Sequence, residues 1–293
     1  MSTDLARQTK SKFKKKAYMQ YFDESGRRVP RDGLRVFSSG ASTYYRLTQP
    51  SMDYGLILDR ITRHQTIPLN ISASEFKARA DSLLDQLKLD SGYSNMTNGV
   101  FVPFVCRRAP KDADLGSELQ SRLLPALHRA FNERYPDAHF KAVLQGNSKL
   151  NGQISLDLHS KYDEFITACE QESVVGLYFP QALQGFDVNS QQLQMHLLPA
   201  SSTVKVCLSG GLDICTALTG VPELLISGEF YTPIPIMSAY RHNDDRLVLL
   251  LKAYGPHMEF WCMTKMLTKT TTQVSEQWTG GITVYEKDAF KSE

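Results

Sequence analysis

The stretch Ser72–Leu87, SASEFKARADSLLDQL, carries the strongest secondary-structure signal in the chain. Ser72 and Glu75 have the spacing of a helix capping box. Apolar residues then recur at intervals of three and four, the period of one helix face: Phe76, Ala80, Leu83, Leu84 and Leu87. Polar residues fill the opposite face, so the stretch predicts an amphipathic helix.

Helices and strands alternate on both sides of this segment. A second helix is predicted at about 117–135, where Pro125 should cause a kink or a break, and a third begins at Ser160. Pro103 favours an edge position for its strand. Alternation and β-branched content predict strands at 34–37, 42–47, 56–61, 100–106, 140–145, 153–158 and 174–179.

Beyond residue 180 the pattern changes to short apolar runs separated by Gly, Pro, Asn and Asp. No helix is predicted there. Strands are expected at 193–198, 203–208, 212–217, 223–230, 246–253, 257–263, 265–274 and 281–285. The sequence therefore predicts an α+β fold in which a flexible basic arm (1–16) precedes an α+β lobe (17–180) and a β-rich antiparallel lobe (181–293).

Composition indicates a globular chain, with 42% apolar and 22% charged residues among 293. No secretory leader is recognised in residues 1–20, and no apolar run approaches the length of a membrane span. The five cysteines are odd in number and have no paired spacing. We therefore expect a soluble cytoplasmic protein in a reducing compartment, without a membrane partner.

Positive charge is concentrated in the first fifty residues, where eleven Lys and Arg face four Asp and Glu, a net charge of +7. The whole chain carries +2, so residues 51–293 carry −5. Tyrosine and phenylalanine are interleaved with these bases. Because single-stranded nucleic acid offers both phosphates and flat bases, it is the partner that this composition suits best.

We therefore predict non-enzymatic, sequence-tolerant binding of RNA or single-stranded nucleic acid through the basic and aromatic N-terminal region. Two smaller basic clusters, on a loop and on a predicted C-terminal strand, are weaker candidates. The predicted binding residues are Arg7, Lys10, Lys12, Lys14, Lys15, Lys16, Tyr18, Tyr21, Arg27, Arg28, Arg31, Arg35, Tyr44, Tyr45 and Arg46 in the N-terminal region, Arg107, Arg108 and Lys111 on the loop, and Lys265 and Lys269 on the strand.

Two other classes of protein remain open. A basic arm before a β-rich body is also the plan of a shell- or capsid-associated assembly protein, which would self-associate around nucleic acid and suggests a viral origin. A metal-dependent nuclease would need scattered acids such as Asp53, Asp59 and Glu75 to converge, and Asp157 with His159 is a weak acid–base pair.

The sequence predicts no cofactor, metal or catalytic residue, because phosphate-binding loops and hydrolase motifs are missing from it. Ser209-Gly-Gly211 is Gly-rich, but it lies between two predicted strands. No helix N-terminus is therefore expected there to hold a phosphate.

Overall fold

The computed structural model describes residues 20–31, 44–108, 114–144, 149–264 and 276–286. It combines helices with mostly antiparallel sheets, which confirms the predicted α+β class. The predicted arm (1–16) and the strands predicted at 34–37 and 265–274 lie outside these residues. Of the strand predicted at 42–47, Tyr45 forms a single bridge to Tyr231.

One of the described helices, Gly211–Gly220, is buried along its whole length, and other helices pack against it. In the described residues the helices are α1 (Tyr54–His64), α2 (Ala73–Leu89), α3 (Leu115–Glu118), α4 (Leu124–Arg134), α5 (Tyr162–Gln171), α6 (Val188–His196) and α7 (Gly211–Gly220), with 3₁₀ turns at Ser94–Asn98 and Pro222–Leu225. The capping prediction for α2 is confirmed, because Ser72 Oγ accepts the N–H of Glu75 at 3.2 Å.

A π-helical turn, Leu119–Leu123, joins α3 to α4. Its wider hydrogen bond runs from Leu124 N–H to the carbonyl of Leu119. Pro125 follows directly and has no N–H to offer to the carbonyl four residues before it, so a change of register is needed at this point. The predicted disturbance at Pro125 is therefore a π turn within one helical run.

The strands of the described residues form one central sheet and three smaller ones. They are β1 (Val102–Cys106), β2 (Phe140–Leu144), β3 (Ile154–Leu156), β4 (Val174–Phe179), β5 (Lys205–Leu208), β6 (Ile234–Pro235), β7 (Tyr240–His242), β8 (Leu247–Tyr254), β9 (His257–Thr264), β10 (Trp278–Thr279) and β11 (Ile282–Tyr285). The smaller sheets are β2-β9-β8, β3-β7 and β10-β6.

The central sheet has the order β1-β4-β11-β5, and every neighbouring pair in it is antiparallel. β11 lies between β4 and β5, so strands from both sides of residue 180 share one sheet. β1 occupies an edge, as Pro103 predicted. The hydrophobic core likewise runs from Phe22 to Tyr285. The division predicted near residue 180 therefore does not coincide with a division of this core.

Helix α7 is buried at every position and packs against α1, α4 and β1. A helix buried on all sides needs no polar face, and its sequence GLDICTALTG accordingly has no amphipathic period. This absence explains why a strand was predicted at 212–217. The prediction was wrong.

Three other strand predictions were wrong. Residues 56–61 belong to α1, residues 193–198 belong largely to α6, and residues 223–230 begin with a 3₁₀ turn. The prediction that no helix follows residue 180 was also wrong, because α6 and α7 lie there. None of the described helices has the length and the apolar content needed to cross a membrane.

The β1–β4 contact provides a test of the core. Gly176 on β4 is the pairing partner of Phe104 on β1, and a Cβ added at Gly176 would overlap the Phe104 ring. We expect Gly176→Ala to lower the free energy of unfolding by about 1–3 kcal/mol, measured by denaturant titration. Gly228→Ala, at an exposed glycine with open space around it, is the matched control and should change stability by less than about 0.5 kcal/mol. Equal effects at the two positions would contradict the packing argument.

Candidate nucleic-acid interface

Two separate parts of the basic N-terminal region dock on one turn, Pro180–Phe186. The N–H of Arg28 donates to the carbonyl of Ala182 at 2.8 Å. The Nε2 of Gln184 donates to the carbonyl of Tyr45 at 3.2 Å and to that of Glu276 at 2.8 Å. The fold therefore brings residues 20–31 and 44–47 to the same part of the surface, although twelve residues of sequence separate Arg31 from Tyr44.

The first docked segment is shaped by Asp23. Its Oδ1 accepts the N–H groups of Ser25 at 2.9 Å and Arg27 at 3.0 Å, and Gly26 turns the chain with φ +80°. Phe22 is fully buried beside this turn. Tyr21 packs edge-on against Tyr93 with the ring centroids 5.6 Å apart. The Tyr21 side chain is therefore half-buried, with one side of its ring packed against the core.

The three arginines of this segment have different surroundings. Arg27 is half-buried near Asp23 and Glu276, and burial lowers its pKa while those two charges oppose the shift. Arg28 is 2% exposed and has no carboxylate in contact among the described residues. Arg31 is tied to α6 through its main chain, which exchanges hydrogen bonds with the side-chain amide of Gln194 at 3.1 Å.

The second docked segment presents aromatic rings. Tyr44 is 69% exposed and Tyr231 is 68% exposed. The Tyr45 ring lies against that of Tyr231, with centroids 6.0 Å apart and planes inclined at 39°. The N–H of Arg46 donates to the carbonyl of Tyr231 at 2.9 Å, and the Arg46 side chain is exposed. This ring surface (Tyr44, Tyr45, Arg46 and Tyr231) combines two exposed tyrosine side chains with an exposed arginine side chain.

Tyr231 was not among the predicted residues. It is about 185 positions away from Tyr45 in the sequence, and only the parallel bridge between the two places it here. Residues 221–240 contain no Lys or Arg, so the basic and aromatic pattern that guided the prediction is absent around Tyr231.

The loop cluster has another environment. Arg107 is half-buried, whereas Arg108 is 5% exposed and its Nε donates to Glu118 at 2.8 Å. Arg108 also pairs with Glu170, and Glu118 in turn pairs with Arg122. This buried ionic network ties the start of the α3–α4 run to α5. The Arg108 guanidinium is thus engaged inside the protein.

The remaining predicted residues lie outside the part of the chain that the structure describes. They are Arg7, Lys10, Lys12, Lys14, Lys15, Lys16, Tyr18, Arg35, Lys111, Lys265 and Lys269.

The acids considered for a nuclease are engaged locally. Asp53 caps α1 through the N–H of Leu56 at 2.9 Å, Asp59 pairs with Arg63, and Glu75 lies 3.5 Å from Arg79. Within the described ranges, no three His, Cys, Asp or Glu side chains are grouped so that they would hold a metal ion.

Asp157 and His159 have separate partners. The buried Asp157 carboxylate accepts from Arg241 Nε at 2.6 Å, and the His159 ring lies 4.3 Å from the ring of His196. The side chains of Asp157 and His159 therefore do not form the acid–base pair considered from the sequence. Their link is the main-chain N–H of His159, which donates to Asp157 Oδ1 at 2.9 Å.

The expectation that no helix begins at the Gly-rich segment was wrong. Ser209-Gly-Gly211 does lead into a helix N-terminus, that of α7. The Asp213 carboxylate fills this position, because it accepts the N–H of Gly210 at 2.8 Å, the hydroxyl of Tyr162 at 2.6 Å and the hydroxyl of Thr283. An internal carboxylate thus takes the place that a phosphate would need.

The chain was compared with protein-family models, curated proteins and solved structures, and no match was found.

Burial of Asp213 has a consequence for stability. Burial raises its pKa, and the donated hydrogen bonds oppose this shift. Because the folded-state pKa lies above the unfolded-state value, the stability contributed by this group is present at acid pH and is lost as pH rises through the folded-state pKa. We expect the unfolding free energy of the wild type, minus that of Asp213→Asn, to fall as pH rises from about 4 to 7. Chemical denaturation across this range measures the difference.

Asp163→Asn, at an exposed aspartate, controls for the change in net charge. A difference between wild type and Asp213→Asn that stays constant with pH, or that rises with it, would contradict the expected sign.

Proposed function

We propose that this protein binds RNA or other single-stranded nucleic acid, without catalysis and with little sequence preference, through the ring surface and the adjoining arginines. The observation that carries the proposal is the exposure of Tyr44 and Tyr231 beside Arg46, next to the docking turn. Rings on an ordered surface lose little entropy when bases stack on them, and stacking contributes about 1–3 kcal/mol per base. The arginines supply the attraction to phosphate.

Charge distribution supports the same assignment. The first fifty residues carry +7 and the rest of the chain carries −5, so the interface segments come from the positive part of the sequence. An acidic remainder disfavours wrapping of the whole protein by a polyanion and favours contact on one side. It also provides an electrostatic basis for self-association, in which basic segments meet the acidic parts of other copies.

The cysteines agree with a cytoplasmic location, which we include in the proposal. All five thiols are free and buried, and Cys106 Sγ lies 3.3 Å from Cys169 Sγ. Burial and the neighbouring Cys106 raise the pKa of the Cys169 thiol, which keeps it protonated and slow to react. This state suits a reducing compartment.

The ring surface provides the sharpest test. We expect Tyr44→Ala and Tyr231→Ala each to weaken binding of a short single-stranded RNA by about 5- to 150-fold, because each removes one stacking platform. Fluorescence anisotropy at low salt measures the affinity. Tyr254→Ala is the matched control, since Tyr254 is 45% exposed at the β8–β9 hairpin, and it should bind like the wild type.

Two results would overturn the proposal. One is the absence of any affinity of the wild type for single-stranded RNA and DNA at low salt. The other is an equal loss in all three tyrosine variants, which would indicate a general effect on folding. Cleavage of the RNA on addition of Mg²⁺ or Mn²⁺, abolished by a chelator, would favour the nuclease instead. Concentration-independent assembly without nucleic acid would favour the assembly protein.

Deletion of residues 1–16 separates the basic arm from the folded interface. Six lysines and arginines are removed, so we expect weaker binding and a salt dependence that is less steep by about 0.7 in log K against log salt for each phosphate that the arm neutralises in the intact protein. Binding should persist, because the ring surface is intact. Complete loss would place the site on the arm, and an unchanged slope would show that the arm neutralises no phosphate.

A further inference from the structure

Arg28 is a buried arginine in which two of the three guanidinium nitrogens have no hydrogen-bond partner among the described residues. Its Nη1 donates to the carbonyl of Tyr21 at 3.0 Å, and its guanidinium carbon lies 5.9 Å from the centre of the Tyr21 ring. Nε and Nη2 are buried and have no hydrogen-bond partner in the described part of the chain. These two nitrogens form one edge of the guanidinium, the side-on fork that holds an oxyanion by two parallel hydrogen bonds.

The charge of Arg28 is also uncompensated. Burial, and then the charge of Arg31, lower its pKa to about 10, so the group stays protonated at neutral pH while its positive charge is destabilised. No Asp or Glu forms a salt bridge with it among the described residues. A buried cation without a partner costs several kcal/mol and is rare in a native structure.

Arg108 is a second buried arginine, and its ion pairs can be compared with the surroundings of Arg28. At 5% exposed it is nearly as buried as Arg28 at 2%. Its Nε donates to Glu118 at 2.8 Å, and its Nη1 pairs with Glu170. The two arginines thus differ in that carboxylates of the same chain satisfy Arg108, whereas no carboxylate of the described residues meets the fork of Arg28.

We infer that the Nε–Nη2 fork of Arg28 is a binding site for a phosphate-type oxyanion. A planar fork matches two oxygens of a phosphate, and the positive charge of the arginine offsets the negative charge of the anion. Under the proposed function, on which this assignment of the ligand rests, the source is a backbone or terminal phosphate of the bound strand. Free inorganic phosphate has the same chemistry and is the other source.

The residues next to Arg28 in the sequence are more exposed than Arg28 itself. The residues on either side of Arg28 in the sequence, Arg27, Val29, Pro30 and Arg31, are each only half-buried. The main-chain bond from Arg28 to Ala182 fixes the segment to the same turn that holds Tyr45.

The test compares thermal unfolding of the intact chain in sodium phosphate and in sodium chloride at matched ionic strength. We expect phosphate to raise the Tm of the wild type by about 5 °C near saturation. Arg28→Lys keeps the charge and loses the fork, so its response to phosphate should be shifted to at least about 10-fold higher concentration. Arg60→Lys, at a half-buried arginine of α1 that pairs with Glu223, should respond like the wild type.

Arg28→Met removes the unpaired charge while filling most of the space. In phosphate-free buffer we expect its Tm to equal or exceed that of the wild type, and phosphate should not raise it. Equal Tm values of the wild type in phosphate and chloride would overturn the inference, and this comparison needs no variant to fold. An Arg28→Lys variant that responds like the wild type would overturn it as well.

Binding of single-stranded RNA distinguishes failure of this site from failure of the proposed function. We expect Arg28→Lys to bind RNA about 10-fold more weakly than the wild type. If phosphate raises the Tm but RNA does not bind the wild type, the oxyanion site stands with free phosphate as its source and the proposed function falls. If RNA binds the wild type and Arg28→Lys equally and phosphate has no effect, the site falls and the function stands.

Discussion

The insertion of Ile282–Tyr285 between β4 and β5 is the constraint on which the rest of the structure depends. This strand uses both of its edges, pairing with Gly176–Phe179 on one side and with Lys205–Leu208 on the other. It therefore fixes the end of β4, from which the turn Pro180–Phe186 leaves. The N–H of Gly185 donates to the carbonyl of Trp278 at 2.9 Å, so the residues before β11 hold the turn as well. The docking turn, and with it the candidate interface, is therefore positioned by a strand that is distant in the sequence.

The parts of the fold that local chemistry determines were predictable. The capping box and the 3.6-residue period identified α2, and the alternating runs at 246–253 and 257–263 identified the β8–β9 hairpin. Helix α7 was mistaken for a strand for a tertiary reason, because a helix buried on all faces shows no helical period. Helix α1 does show one, with Ile57, Ile61 and His64 on its buried face, but the strand prediction considered only the short stretch 56–61. The insertion of β11 was unpredictable because it pairs residues about 75 or more positions apart.

The candidate site was predictable in composition but not in geometry. Charge and aromatic content predicted a site in the first fifty residues. The same reasoning named both Arg28 and Arg108 as binding residues and could not distinguish them. Both are buried, and only the carboxylates that meet Arg108 in space distinguish them. Tyr231 entered the ring surface through a single bridge to Tyr45. Pairing and burial of this kind belong to tertiary structure, which a single sequence does not encode in any local pattern.

The docking turn, Pro180–Phe186, is synthesised later than the N-terminal segments that bind to it. Residues 180–186 are synthesised about 135 residues after Tyr45, which at ~5–20 residues per second is a delay of roughly 7–27 s. Throughout this interval the carbonyl of Ala182 and the amide of Gln184 do not yet exist to receive the basic segments. Under the proposed function, a growing chain therefore meets RNA near the ribosome before its own docking turn has been made. Under the same proposal, folding and premature binding would compete for the same arginines and tyrosines, and translation speed would set the balance between them.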